Sequence, residues 1–164
     1  MIISWIAFYD IAILKNDFEG ASLPWINSGE FRALWEFNFD TLSCVMFLVV
    51  NTVSAMVHLY SVGYMSHDKS KARFMAYLSF FTFAMLMLVS SSNLLQLFFG
   101  WEGVGVASYL LIGFWYNKKS ATSAAVKAFL VNRVGELGCI LGLIFVYTYF
   151  DTIMFERIFE LAPS

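Results

Sequence analysis

Four apolar stretches of this sequence are each long enough to cross a lipid bilayer. A hydrocarbon core about 30 Å thick takes roughly 20 helical residues, because each residue adds about 1.5 Å to a helix. We place the four spans at residues 41–65, 74–93, 94–116 and 121–150. The sequence therefore predicts an all-α, polytopic bundle of transmembrane helices.

The composition argues independently against a soluble domain. Hydrophobic residues make up 60% of the 164 residues and charged residues only 13%, whereas soluble domains carry about 25% charged residues. A soluble core of this size could not bury so much apolar surface. The net charge is -2 and the basic residues form no cluster suited to nucleic acid. We therefore predict no nucleic-acid partner. The two cysteines lack CxxC or histidine spacing, so we also predict no metal site.

The N-terminal region differs from the four spans. Residues 1–14 are apolar but reach only about 21 Å as a helix, which is too short for a full crossing. They are interpreted as a partial span, with an interfacial helix as the alternative. Residues 15–40 are too polar for lipid, and Pro24 with residues 27–29 predicts a short hairpin at the membrane interface. Asp40 is positioned to N-cap the next span.

Charge placement gives an orientation. Loops 66–73 and 117–120 are rich in lysine and arginine, whereas acidic residues outnumber basic ones in 15–40. The positive-inside rule therefore puts the two basic loops on the inner side. Counting spans from there puts segments 15–40 and 90–93, and the tail 151–164, on the outer side. Both basic loops fall on one side without adjustment, which supports the span count.

Four charged residues lie inside the third and fourth spans, where charge is costly. An ion at mid-membrane costs on the order of 2.5–3.5 kcal/mol, so four would cost roughly 10 kcal/mol before pairing. Such groups must face protein, water or one another, and they are our candidate site residues for proton transfer or electrostatic coupling. They are Glu102, Lys127, Arg133 and Glu136.

The helical spacing separates these four residues. Arg133 and Glu136 are about 60° apart around their helix and can pair, whereas Lys127 points roughly opposite to Glu136. Glu102 lies roughly 12 Å from the outer end of its helix, at a depth comparable to Arg133. It has no opposite charge three or four positions away, and such a carboxyl can be tuned to take and release protons. A purely structural Arg133–Glu136 pair and a snorkelling Lys127 remain open alternatives.

Two long motifs carry a resemblance to a known family. The run FFGWEGVGVASYLLIGFW, followed by AAVKAFLVNRVGELG, resembles NADH dehydrogenase subunit 5. That is an antiporter-like subunit of the proton-pumping mitochondrial complex I. The runs HLYSVGYMSHD and PWINSGEFRALWEFNFD resemble the same subunit further upstream. The resemblance covers nearly the whole chain, most clearly from about residue 24 to 150.

The resemblance implies a fold of inverted repeats and roles for particular residues. Glu102 matches the fifth-helix glutamate, which in the family pairs with a lysine on the seventh helix and takes part in proton transfer. Lys127 and Arg133 match charged positions on the sixth helix. Glu136 stands where relatives usually have aspartate, which keeps the carboxylate but lengthens its reach by one methylene.

The resemblance also implies partners, cofactors and a location. The chain corresponds to part of the second helix through the sixth, so a second chain is expected to carry the remaining helices; a truncated sequence is the alternative. Other complex I membrane-arm subunits and membrane lipids such as cardiolipin are further expected partners. No cofactor is expected on this chain, with FMN, iron–sulfur clusters and ubiquinone elsewhere in the complex. The expected location is the mitochondrial inner membrane, with loops 66–73 and 117–120 on the matrix side.

The function implied is proton translocation as part of complex I, in which this chain contributes the glutamate half of a proton-transfer site. We expect its cation on a helix that this chain does not contain. Two alternatives remain open. One is a subunit of a multi-subunit sodium/proton antiporter, and the other is a structural assembly fragment without conduction.

Overall fold

The computed structural model describes residues 2–14, 22–29 and 31–162. Much of the charged part of the loop predicted at 15–40, namely residues 15–21 and residue 30, lies outside the described residues. The last two residues of the predicted tail, 163–164, also lie outside them.

Helices dominate the described chain, and one two-stranded antiparallel sheet precedes the first long helix. In chain order the elements are α1 (Ile2–Phe8), a π-helical turn (Tyr9–Ile13), β1 (Ser22–Ser28), β2 (Phe31–Glu36), α2 (Thr41–Tyr64), α3 (Lys71–Val89), α4 (Leu94–Ile112), α5 (Lys119–Phe150) and α6 (Phe155–Leu161).

The helices α2, α3, α4 and α5 are long and apolar enough to cross a membrane, and α1 with its π-helical turn is shorter. The predicted fold of four full spans and one partial N-terminal span is therefore confirmed. With 32 residues, α5 extends about 48 Å, well beyond a hydrocarbon core of about 30 Å. Such a helix tilts in the bilayer or emerges from it on one side.

The start of α2 has the cap that its sequence predicts. The carboxylate of Asp40 accepts a hydrogen bond from the backbone N–H of Ser43 at 2.6 Å. Asp40 itself is extended, with φ -80° and ψ 175°, which is the usual conformation of an N-cap residue.

The helices α3 and α4 form a tight antiparallel hairpin around residues 90–93. Asn93 caps α4, because its side chain accepts a hydrogen bond from the N–H of Gln96 at 2.9 Å. The two backbones approach most closely at Gly100, where an added Cβ would lie 2.6 Å from the Cα of Leu88. Only glycine therefore fits at this crossing.

The turn at 90–93 also holds the β-hairpin and the segment that follows α5. The N–H of Asn38 donates to the carbonyl of Ser90 at 2.8 Å. The side-chain amide of Asn93 donates to the carbonyl of Leu34 at 2.7 Å, and its backbone forms an isolated bridge with Met154. The segment predicted only as an outer tail thus returns to the bundle and continues as α6.

The crossing of α3 and α4 gives a stability prediction. Gly100→Ala should lower the free energy of unfolding by about 2–3 kcal/mol, because the new methyl group meets backbone that cannot move aside. Denaturation of the purified protein in mixed micelles measures this change.

Gly138→Ala on α5 is the matched control, because an added Cβ there meets nothing within 4 Å. That substitution should be neutral or stabilising by up to about 1 kcal/mol, as expected from helix propensity alone. Equal effects of the two substitutions would contradict the close approach at Gly100.

Candidate functional site

The guanidinium of Arg133 on α5 lies between two carboxylates. Its Nη1 donates a hydrogen bond to Oε2 of Glu102 on α4 at 2.7 Å. The same Nη1 lies 2.8 Å from Oε2 of Glu136, one helical turn further along α5. This second contact is an ion pair without a hydrogen bond, and the buried Oε2 of Glu136 has no hydrogen-bond donor among the described residues.

The three side chains differ in their accessibility. The exposed fraction is 4% for the side chain of Glu136, 24% for that of Glu102 and 40% for that of Arg133. Glu136 is therefore enclosed within the chain, whereas the other two can contact water, lipid or another protein. Glu102 is the accessible acid of the pair.

Small residues on α4 let it pack closely against α3 and α5. An added Cβ at Gly103 would lie 2.9 Å from the Cβ of Ala84 on α3. On the other side, an added Cβ at Gly105 would lie 3.4 Å from Oε1 of Glu136. Ala107 is completely buried. The glycine-rich run around the site therefore brings the helices together and leaves room for the second carboxyl.

An aromatic layer lies on the side of the site that faces the basic loops. The guanidinium carbon of Arg133 lies 4.5 Å from the ring centre of Phe129. That ring in turn packs against Tyr109 at 5.3 Å. Beyond Tyr109 is a cavity of about 220 Å³, which Tyr109 and Ala125 help to line. The two rings thus lie in contact between the wall of this cavity and Arg133.

Of the four residues predicted for the site, the structure brings three together and leaves Lys127 out. Lys127 is exposed on α5 and points about 180° away from Glu136 around that helix. It makes no hydrogen bond or ion pair with the described part of the chain. Any role of Lys127 would therefore depend on groups outside the described residues.

The cation expected for Glu102 on a helix that this chain does not contain stays a prediction. Glu102 pairs with Arg133 of this chain, across the contact between α4 and α5. The matching depths of the two residues were the sequence signal for this pairing. Arg133 also contacts Glu136, and the exposed side of Glu102 leaves room for a further cation.

Sequence reasoning missed two residues that shape the cluster. Phe129 lies one turn before Arg133 and supports its guanidinium, a relation that the i,i+4 spacing could have revealed. Gly105 makes room for Glu136, but nothing in the sequence distinguishes it from the neighbouring glycines.

His58 belongs to a separate polar contact between α2 and α3. Its Nδ1 lies 2.8 Å from the carbonyl of Ser54, and its Nε2 lies 3.2 Å from the hydroxyl of Ser79. His58 is therefore a polar residue satisfied at the contact between the two helices. Within residues 2–14, 22–29 and 31–162, no three histidine, cysteine or carboxylate side chains group as metal ligands would.

Comparisons with known proteins match this chain in two parts. Residues 25–75 match the family model described as NADH-Ubiquinone oxidoreductase (complex I), chain 5 N-terminus. Residues 91–164 match the model described as NADH:quinone oxidoreductase/Mrp antiporter, TM. The second match contains all three members of the charged cluster.

Curated relatives are similar over nearly the whole chain. NADH-quinone oxidoreductase subunit L of Rhodobacter capsulatus is 54% identical over 99% of this chain and 24% of its own length. NADH-ubiquinone oxidoreductase chain 5 of Arabidopsis thaliana is 53% identical over 98% of this chain and 24% of its own length. The chain thus spans about a quarter of the length of these relatives. Together, the two matches and these identities place the chain in the family of complex I chain 5 and subunit L proteins.

Proposed function

We propose that this chain forms part of a proton-translocating membrane-arm subunit of complex I and contributes a carboxyl cluster to its proton-transfer site. The observation that carries the proposal is the Arg133 guanidinium between the carboxyls of Glu102 and Glu136. Charged residues within membrane-spanning helices are energetically costly, and their presence there therefore indicates a function.

Charge balance supports a role in binding protons. Two ionised carboxylates and one guanidinium carry a net charge of -1, and a net charge within the bilayer costs on the order of 2.5–3.5 kcal/mol or more. One proton shared by Glu102 and Glu136 makes the cluster neutral. That proton belongs to the coupled pair rather than to either residue alone. A cluster with one exchangeable proton is what a transfer site requires.

The packing supports a direction for proton movement between the two acids. Glu136 is the more deeply buried of the two carboxyls, so we place the shared proton there at rest. Glu102 is more accessible and is the side on which a proton can be passed on. A shift of the Arg133 guanidinium from Glu102 toward Glu136 would exchange the roles of the two acids.

The cavity near the basic loops supports a supply of protons from that side. Tyr109 lines this cavity and lies seven residues from Glu102 on α4, a distance of about 10 Å along the helix. Water in the cavity would therefore come near the cluster, with the Tyr109–Phe129 ring pair as the remaining barrier. With the basic loops on the matrix side, this water is matrix water.

Partners and location follow from the same proposal. We assign the chain to the mitochondrial inner membrane, beside other membrane-arm subunits and lipids such as cardiolipin. The remaining helices of the subunit would cover the exposed face of α5 and place a lysine near Glu102. FMN, iron–sulfur clusters and ubiquinone would lie elsewhere in the complex. Cys44 and Cys139 are both free and lie on different helices, and two thiols are fewer than the four ligands of such a cluster.

A multi-subunit sodium/proton antiporter is the second candidate, because the model matched by residues 91–164 also names the Mrp antiporter. Purification separates the two candidates. NADH-oxidising subunits that co-purify with the chain support complex I, whereas only small membrane subunits together with sodium-dependent transport support the antiporter. If the chain serves only the assembly of the complex, replacing Glu102 would leave proton transport unchanged.

Replacing Glu102 tests the proton-transfer role. In the reconstituted complex, Glu102→Gln should slow proton transfer through this site by about a hundredfold or more, because glutamine cannot bind and release the proton. The measurement is the ratio of protons translocated to electrons transferred, which should fall. Glu156→Gln on α6 is the control and should leave the ratio unchanged. A wild-type ratio in normally assembled Glu102→Gln complex would contradict the proposal.

Removing the shared cation tests the electrostatics of the cluster. Arg133→Met should lower the free energy of unfolding by about 2 kcal/mol, because it leaves two carboxyls without their partner; the partial exposure of Arg133 keeps the loss below that of a fully buried pair. The double substitution Arg133→Met with Glu136→Leu should recover much of the lost free energy of unfolding. Lys127→Met, which also removes a positive charge but at a position without a partner among the described residues, should alter stability by less than about 0.5 kcal/mol. Equal effects of Arg133→Met and Lys127→Met on unfolding in mixed micelles would contradict the cluster.

A further inference from the structure

The cavity at the end of the bundle that carries the basic loops has features that proton transfer does not explain. It lies among α3, α4 and α5 and has a volume of about 220 Å³. Its wall combines one cation, several hydroxyl groups and apolar surface. The lining residues include Arg73, Tyr77, Tyr109, Phe114, Tyr116 and Thr122.

Arg73 has no carboxylate partner among the described residues. Its Nη2 donates one hydrogen bond to the carbonyl of Phe114 at 3.3 Å. The guanidinium carbon lies 4.8 Å from the ring centre of Phe114 and 5.3 Å from that of Tyr116. Its Nε is buried without a hydrogen-bond partner. The rings thus hold the guanidinium in place, but no negative charge of the described chain neutralises it.

Two helix N-termini add positive potential at the same cavity. Arg73 is the third residue of α3, and Thr122 is the fourth residue of α5. Neither helix has an acidic residue in its first turn, and neither has a side-chain cap. The N–H groups and dipoles of such helix ends favour a nearby anion.

The acid nearest in sequence is already engaged elsewhere. Oδ1 of Asp68 accepts a hydrogen bond from the N–H of Ser70 at 2.7 Å, and Oδ2 accepts one from the indole of Trp115 at 3.3 Å. Asp68 is not among the residues that line the cavity. The two loops around the cavity carry one acidic residue against five basic ones, which are Lys69, Lys71, Arg73, Lys118 and Lys119.

We propose that this cavity binds the phosphate group of an anionic phospholipid. Arg73 lies in the first turn of a membrane-spanning helix, which is the depth of lipid headgroups, and Trp115 and Tyr116 are the aromatic residues typical of that level. Basic pockets between membrane helices recognise anionic headgroups. The arginine fork contacts phosphate oxygens, the tyrosine hydroxyls donate to them, and the apolar wall accommodates the start of the acyl chains.

Binding of phosphatidylglycerol tests this site. The complex that contains the chain is freed of lipid, and phosphatidylglycerol bound in a phosphatidylcholine background is counted by native mass spectrometry. Arg73→Gln should weaken the binding of one phosphatidylglycerol molecule by about tenfold, because the charged hydrogen bonds to phosphate are lost. Lys69→Gln removes the same charge from the same loop without touching the cavity, and it should change binding less than about twofold.

A loss of binding in Arg73→Gln but not in Lys69→Gln supports the proposal. Unchanged binding in Arg73→Gln, or an equal loss in Lys69→Gln, overturns it. Displacement of the lipid by inorganic phosphate alone overturns the lipid assignment in favour of a free-anion site. If the complex with Arg73→Gln fails to assemble, Arg73→Lys is measured instead. Lysine keeps the charge but not the planar guanidinium, so it should weaken phosphatidylglycerol binding about threefold. Binding as tight as in the wild type would then overturn the proposal. Glu102→Gln should bind the lipid normally, so the outcome is independent of the proton-transfer role.

Discussion

The contact of one guanidinium with two carboxyls is the interaction on which the rest of this structure depends. Arg133 joins α5 to α4 through Glu102 and holds Glu136 beside it within the same interface. In a bilayer, ions without partners are costly, so each of the three groups requires the others nearby. The cluster therefore sets how the two helices pack.

The helix packing is adapted to this cluster. Gly103 brings α4 against α3, and Gly105 leaves the space that Glu136 occupies. The ring of Phe129 supports Arg133 from the side of the cavity. Close packing through small residues stabilises helix contacts in membranes, where apolar burial between helices contributes little. The same residues thus serve stability and give the carboxyls a defined environment.

Much of the fold could be predicted, because the length of an apolar stretch directly reports a membrane crossing. The predicted third span, 94–116, begins where α4 begins. The predicted second span, 74–93, lies up to four residues further along than α3, which runs from Lys71 to Val89. Hydropathy excludes Lys71 and Arg73 from the span, although a helix continues into the headgroup region once its side chains can reach water. The return of the segment after α5 depends on hydrogen bonds that hydropathy does not report.

The site was predictable where helical spacing decides the contact. Arg133 and Glu136 are three residues apart, and their pairing follows from geometry. The contact of Arg133 with Glu102 joins two helices, so depth alone suggested it and a partner on another chain was expected instead. The support by Phe129 and the space at Gly105 arise only from the packed arrangement. A single sequence does not reveal such packing.

The number of protons on the cluster tests its central role most directly. Infrared spectroscopy of the purified protein at neutral pH detects the C=O stretch of a protonated carboxyl group. We expect one such group per cluster, with a band that is lost or shifted in both Glu102→Gln and Glu136→Gln. A spectrum without a protonated carboxyl, or with one that neither substitution affects, would contradict a shared proton between these two acids.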